Sequence, residues 1–225
     1  MEEPVFTHDN LSERVADYIR RGLLYSNRYK KGQHMLENEI AEELQISRAP
    51  VREALRELEG QGLLVFVPRK GVFVANFDQE DMLEIYDIRY MLESRVMEIL
   101  IEQNKLNETD FVNLRGFVNE MVKISENGLK LEEYVASFSE NDIAFHRYLW
   151  TKANRKWSAK ILRNLYYQLR LAIIQDLIIE HDLARSAAMH YEIVDCLEKR
   201  DLSGAKEAFV RHIVTLERKK ATSQS

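Results

Sequence analysis

Three features of this 225-residue sequence predict a mainly α-helical fold in two parts. Apolar residues recur at helical spacing along most of the chain. β-Rich runs are confined to one stretch near residue 70, around a single turn signal. All three prolines precede residue 75, and helical periodicity then runs almost unbroken toward the C-terminus. The order is helix, helix, helix and hairpin over residues 1–75, then helices alone over residues 76–225. That describes a winged helix-turn-helix (three helices plus a β-hairpin wing) followed by an all-α antiparallel bundle.

Residues 1–10 are expected to form a mobile arm. Residues 11–25 place Leu11, Val15, Tyr18, Ile19 and Leu23 on one face, a first helix that packs behind the motif. A polar connector over residues 27–32 offers Arg28, Lys30 and Lys31 to phosphates or simply to solvent. Leu36, Ile40 and Leu44 then recur at i, i+4 and i+8, the buried stripe of a short helix. Gln45 and Ile46 break it off, Ser47 suits the N-cap of the next helix, and Pro50 fits its first turn. In that helix Val51, Leu55 and Leu58 face inward. Arg48, Arg52 and Arg56 step four residues at a time and drift only about 40° per step. A short helix, a tight turn and a helix with an arginine row form a helix-turn-helix pattern. The runs 63–67 and 72–74 flank Pro68-Arg69-Lys70-Gly71, a turn tipped by two cations, whose Gly71 can take positive φ or admit a phosphate. The alternative is a plain helical hairpin with solvated arginines. Row, wing and capped turn in this order favour a DNA reader.

Net charge speaks against a bulk polyanion binder. Residues 1–75 carry 11 Lys and Arg against 12 Asp and Glu, and the remainder of the chain nets −4. A site-specific reader needs only a local positive surface, which the arginine row and wing tip supply. Affinity should then depend strongly on salt and on dimerisation. No apolar run is long enough to span a bilayer, and Met1-Glu2-Glu3-Pro4 does not read as a signal peptide. The lone Cys196 excludes an internal disulfide and fits a reducing cytoplasm, as a small hydrophobe beside Val194 and Leu197.

Downstream, helices are expected over residues 78–104, 108–126, 131–153, 156–180, 183–199 and 202–219. The second is capped by Asn107 or Thr109 and ends at Asn127-Gly128. The fourth carries a stripe of Trp157, Ile161, Leu165, Leu169, Ile173 and Leu177, and residues 221–225 form a polar tail. Asp142 and His146 stand at i, i+4 on one helix face. His190 and His212 lie among apolar residues on later helices. Three imidazoles and one carboxylate converging in a bundle would suit Zn²⁺, Ni²⁺, Mn²⁺ or Fe²⁺ and leave exchangeable positions. The alternative is three unrelated core histidines. His8 in the arm, His34 in the connector and His181 in the joint 180–182 carry no assigned role.

The run Glu39-Ile40-Ala41-Glu42-Glu43-Leu44, Ser47-Arg48-Ala49-Pro50-Val51-Arg52-Glu53-Ala54-Leu55, Leu58-Glu59-Gly60-Gln61-Gly62-Leu63-Leu64 and Pro68-Arg69-Lys70-Gly71-Val72-Phe73-Val74 resembles the GntR family of bacterial transcription regulators. Within it the chain is similar to the FadR-like branch, whose C-terminal helical part is the FCD domain. The resemblance implies that Arg48, Ala49 and Arg52 meet the operator. It also implies that Arg69, Lys70 and Gly71 bring the wing to the DNA backbone. Asn38 departs from relatives that carry a DNA-contacting arginine there.

Asn141-Asp142-Ile143-Ala144-Phe145-His146, His190 with Ile193-Val194, and Arg211-His212-Ile213 resemble the FCD metal signature. It implies a divalent ion, Zn²⁺ or Ni²⁺ foremost, on Asp142, His146, His190 and His212. Arg89, in Ile88-Arg89-Tyr90-Met91-Leu92-Glu93, resembles an arginine that faces the effector cavity, where a carboxylate would be its bidentate partner. Its alternative is an ion pair with Glu93. Tyr86, Tyr166 and Tyr167 would line that cavity or simply pack.

The resulting expectation is a cytoplasmic, homodimeric regulator of double-stranded operator DNA, with no membrane partner. A small carboxylate effector would bind at the metal, and the chain would not be an enzyme, since no general base stands beside the motif. The rivals are a metal sensor, a metal-dependent enzyme joined to a DNA-binding module, and a purely structural metal clip.

Overall fold

The computed structural model describes residues 9–26, 28–126, 131–175 and 183–214. The arm and His8, the end at Asn127-Gly128, residues 176–182 with His181, and residues 215–225 lie outside the described residues, apart from the arm's last two positions. Among the described residues there are nine helices and one two-stranded hairpin, in two compact units.

The first unit opens with α1 (Asp9–Leu24), which buries Val15, Ile19 and Leu23 while Leu11 and Tyr18 stay at its exposed margins. In α2 (Glu37–Leu44), Ile40 and Ala41 are buried. Leu36 belongs outside this helix, at its extended N-cap and largely exposed, and the preceding Met35 takes the buried place instead. The helix ends at Gln45, whose φ of 54° lets its N–H return to the Ala41 and Glu42 carbonyls. Ser47 stands at the N-cap of α3 (Arg48–Gly60) with the expected extended backbone, but its hydroxyl makes no capping bond. Helix α3 buries Val51, Ala54, Leu55 and Leu58, so Arg48, Ala49, Arg52 and Arg56 are left facing solvent.

Strands β1 (Leu64–Val67) and β2 (Gly71–Val74) pair antiparallel, Leu64 with Val74 through Val67 with Gly71. Arg69 takes the left-handed turn position at φ 64°, and Gly71 sits at φ 106°. The connector adds a third edge: Met35 N donates to Val72 O at 2.8 Å and Val74 N to Gln33 O at 2.9 Å. His34 bridges and stacks on Phe73 there, 4.6 Å between ring centroids.

The second unit contains α4 (Gln79–Glu102), α5 (Glu108–Glu126), α6 (Leu131–Lys152), the first part of α7 (Lys156–Gln175), α8 (Leu183–Glu198) and α9 (Leu202–Val214). Helix α5 packs on α6 and α8, α8 on α9, and α4 on α9 and α6. The start of α5 is a reciprocal cap. Asp110 N donates to Asn107 Oδ1 and Asn107 N donates to Asp110 Oδ2, which settles the cap on Asn107 rather than Thr109. On α7 the expected stripe is exposed at Trp157 and Ile161 but buried at Leu169, and Leu162 and Tyr166, off that stripe, are buried as well. From Tyr167 onward α7 packs with the first unit: Leu171 is fully buried in its core and Gln168 Nε2 donates to Gln61 O. Cys196 on α8 is half-buried rather than wholly interior. No helix among the described residues is long and apolar enough to cross a membrane.

Candidate metal centre

The i, i+4 spacing on α6 puts Asp142 and His146 on one face. Helices α8 and α9 lie side by side, bringing His190 and His212 to that face. One ligand atom from each of the four residues lies within 4.8 Å of the others. His146 and His190 are fully buried, and His212 nearly so. Phe145 meets the His190 ring edge-on at 4.8 Å, and the His190 and His212 centroids are 4.2 Å apart. The sequence-derived quartet is therefore brought together in one apolar pocket.

Its hydrogen bonding leaves lone pairs pointing inward. His190 Nδ1 lies 2.9 Å from the Ser186 carbonyl, which can only accept, so Nδ1 carries a proton. Nε2 then faces Asp142 Oδ1 at 3.1 Å without forming a hydrogen bond. Two acceptors at that distance repel unless His190 gains a second proton or a cation joins the cluster. His212 Nε2 is also turned toward Asp142, at 4.0 Å, and neither ring nitrogen of His146 has a hydrogen-bond partner. Burial, then His190, push the His212 imidazole well below its ordinary pKa, against the pull of Asp142, so it is neutral at neutral pH. Burial alone would raise the Asp142 carboxyl, but His190, His146 and His212 outweigh it and hold Asp142 far below the ordinary carboxylate range. One carboxylate and three buried imidazoles converging on a common point form a donor set that fits a divalent cation.

Arg89 lies beside this cluster on α4 and is almost wholly buried. Its guanidinium sits over Phe209 at 5.6 Å and over Tyr166 at 6.0 Å, and the same Phe209 ring lies 6.0 Å from His146. Nη2 donates to Glu93 Oε1 at 3.2 Å, the i+4 ion pair that sequence allows, and Nε has no partner. Tyr166 donates its hydroxyl to Ser139 O, whereas Tyr167 lies in the first unit under Arg20 and takes no part here.

The residues expected to meet DNA are separate. Arg48, Ala49 and Arg52 are exposed on α3, and Arg69 and Lys70 on the wing tip. Arg52 makes a bidentate pair with Glu37, Nε and Nη2 lying 3.0–3.1 Å from its carboxylate oxygens. The fold favours glycine at position 71, where φ is 106° and a Cβ would meet His34 Nε2 at 2.5 Å.

The family description "Bacterial regulatory proteins, gntR family" matches residues 11–74, and "FCD domain" matches residues 84–215. The chain belongs to the GntR family, in the branch that carries an FCD domain. This GntR-family protein is a DNA-binding transcriptional regulator. It is 33% identical over 152 residues to the gluconate operon transcriptional repressor of Bacillus subtilis (strain 168), covering 68% of this chain and 59% of that protein. It is 30% identical over 212 residues to the probable D-xylose utilization operon transcriptional repressor of Paenarthrobacter nicotinovorans, covering 92% and 87%. Among solved structures it shares the fold of E. coli McbR/YncC, with a TM-score of 0.77, 19% identity and coverage of 96% and 99%.

Three residues of this GntR-family regulator bear on its sites without a signal in the sequence. Glu37 is fifteen positions from Arg52. His34, read as a loop residue, is part of the wing. Glu93 is legible as the partner of Arg89, but its contacts with His146 and with Trp150, 57 positions away, are not.

Proposed function

We propose that this regulator is a cytoplasmic homodimer whose operator affinity is set by a small carboxylate captured at a divalent cation. Residues 1–75 would read DNA, and residues 76–225 would hold metal and effector and form the dimer. The cation would be held by Asp142, His146, His190 and His212, and three imidazoles with one carboxylate favour Zn²⁺ or Ni²⁺ over Mn²⁺ or Fe²⁺. When bound, it supplies exchangeable positions for a carboxylate oxygen. Arg89 adds a buried guanidinium whose Nε is uncommitted and can take a second oxygen. Arg48, Ala49 and Arg52 would enter the major groove, with Arg69, Lys70 and Gly71 at the backbone.

The single observation that carries this reading is the convergence of three buried imidazoles and the half-buried Asp142 carboxylate, with one ligand atom from each within 4.8 Å of the others. Elemental analysis with native mass spectrometry of the purified protein tests it: one divalent ion per chain, in a dimer, is expected. His146→Ala or His190→Ala should abolish the ion and the response of operator binding to carboxylates. Wild-type protein that takes up no divalent ion would end the proposal.

The Arg89–Glu93 ion pair favours a second reading, in which the ion itself is the signal because the guanidinium is already engaged. Operator affinity that follows metal and ignores every carboxylate tried would decide for it.

A further inference from the structure

Glu93 is a carboxylate with no exposed surface, in the middle of α4. Such a group costs several kcal/mol to bury unless it is paired, and a plain apolar residue often serves stability as well. Its three contacts are specific. Trp150 Nε1 donates to Oε2 at 2.8 Å, Arg89 Nη2 donates to Oε1 at 3.2 Å, and Oε1 lies 3.4 Å from His146 Nδ1. The first two fix the carboxylate from two directions and leave Oε1 beside the imidazole. His190 makes the matching arrangement with a backbone carbonyl: Nδ1 goes to Ser186 O, and Nε2 faces Asp142.

We propose that Glu93 is a positioning residue for the cation site: its Oε1, 3.4 Å from His146 Nδ1 and not hydrogen-bonded to it in this structure, accepts the Nδ1 proton when the cation is bound and thereby presents Nε2 to Asp142, His190 and His212. It touches neither the cation nor the effector. An acceptor on the far nitrogen of a ligating histidine fixes its tautomer and ring orientation and makes it a better donor. Because Arg89 holds the same oxygen, this one carboxylate ties the ligand set to the guanidinium. The inference rests on the cation reading above.

The test uses the full chain with ¹⁵N-labelled histidine, loaded with ¹¹³Cd²⁺. Cadmium–nitrogen coupling at Nε2 of His146, with Nδ1 protonated, is the expected result, and coupling at Nδ1 overturns the proposal. In parallel, Glu93→Gln should weaken Zn²⁺ binding about 10- to 100-fold in competition with a chelating dye. Equal affinity in folded Glu93→Gln protein also overturns it. Should that variant not fold, the wild-type coupling alone decides. Wild-type protein that binds neither ion defeats the cation reading itself, whereas binding with the wrong nitrogen defeats only the role given to Glu93.

Discussion

Asn107 and Asp110 close the first turn of α5 on each other, and Lys152 Nζ lies 2.5 Å from Asp110 Oδ1. Asn107→Ala should cost about 1 kcal/mol, read from urea melts. Burial would raise the Asp110 carboxyl, but Lys152, Tyr148 and the Asn107 backbone hold it below its ordinary value of 3.8. A carboxyl depressed on folding contributes stability that is full above that ordinary value and fades as pH falls through the lower folded one. The stability gap between wild type and Asp110→Asn should therefore stay level from pH ~7 to pH ~4 and narrow as pH falls further, and a gap that stays constant below pH ~4 would contradict it. The proposed metal ligands set a second limit. Imidazoles ligate only when neutral, so bound metal should be lost on acidification, and full occupancy at pH ~4.5 would tell against these ligands. At this scale the sequence identified donors and spacing. It was silent on Glu37, on the place of His34 in the wing, and on the contacts of Glu93 with His146 and Trp150, because these are set by tertiary packing.

Helix α3 shows what periodicity decides well. Four buried apolar positions leave one solvent face, and the arginine row falls on it. Arg52→Ala should weaken specific operator binding by about 1–3 kcal/mol and leave the dimer intact. An unchanged gel-shift titration would remove Arg52 from the interface. Glu37, which grips the Arg52 guanidinium in the free protein, gives that side chain a defined starting orientation. Helix α7 shows where periodicity fails. It carries two apolar rows, one through Trp157, Ile161, Leu165 and Leu169 and another through Leu162, Tyr166 and Leu169, which meet at the buried Leu169. Either row satisfies a helical repeat, and only neighbouring elements choose which is covered. The helix-turn-helix signals were stronger because they combine turn chemistry, a glycine with positive φ and an apolar pattern in a fixed order.

For the whole molecule, the order of elements was legible and the convergence of α6, α8 and α9 was not, since spacing along a chain does not say which helices are neighbours. A dimeric reader must hold two recognition helices about 34 Å apart, or a multiple, to enter successive major grooves on one side of the duplex. An effector can shift that placement only by its differential affinity for the two arrangements. Removing metal with a chelator should therefore blunt any carboxylate effect on gel shifts. A purely structural clip would instead show a lower melting temperature with effector binding retained. The lone cysteine makes the geometry measurable. Burial, then Asp201, raise the Cys196 thiol pKa, so at neutral pH it is mostly protonated and slow toward maleimides. A nitroxide introduced through Arg56→Cys, on the exposed face of α3, would label ahead of it, and pulsed dipolar spectroscopy would then report the interval between the two subunits of the proposed dimer directly, in solution and without a crystal.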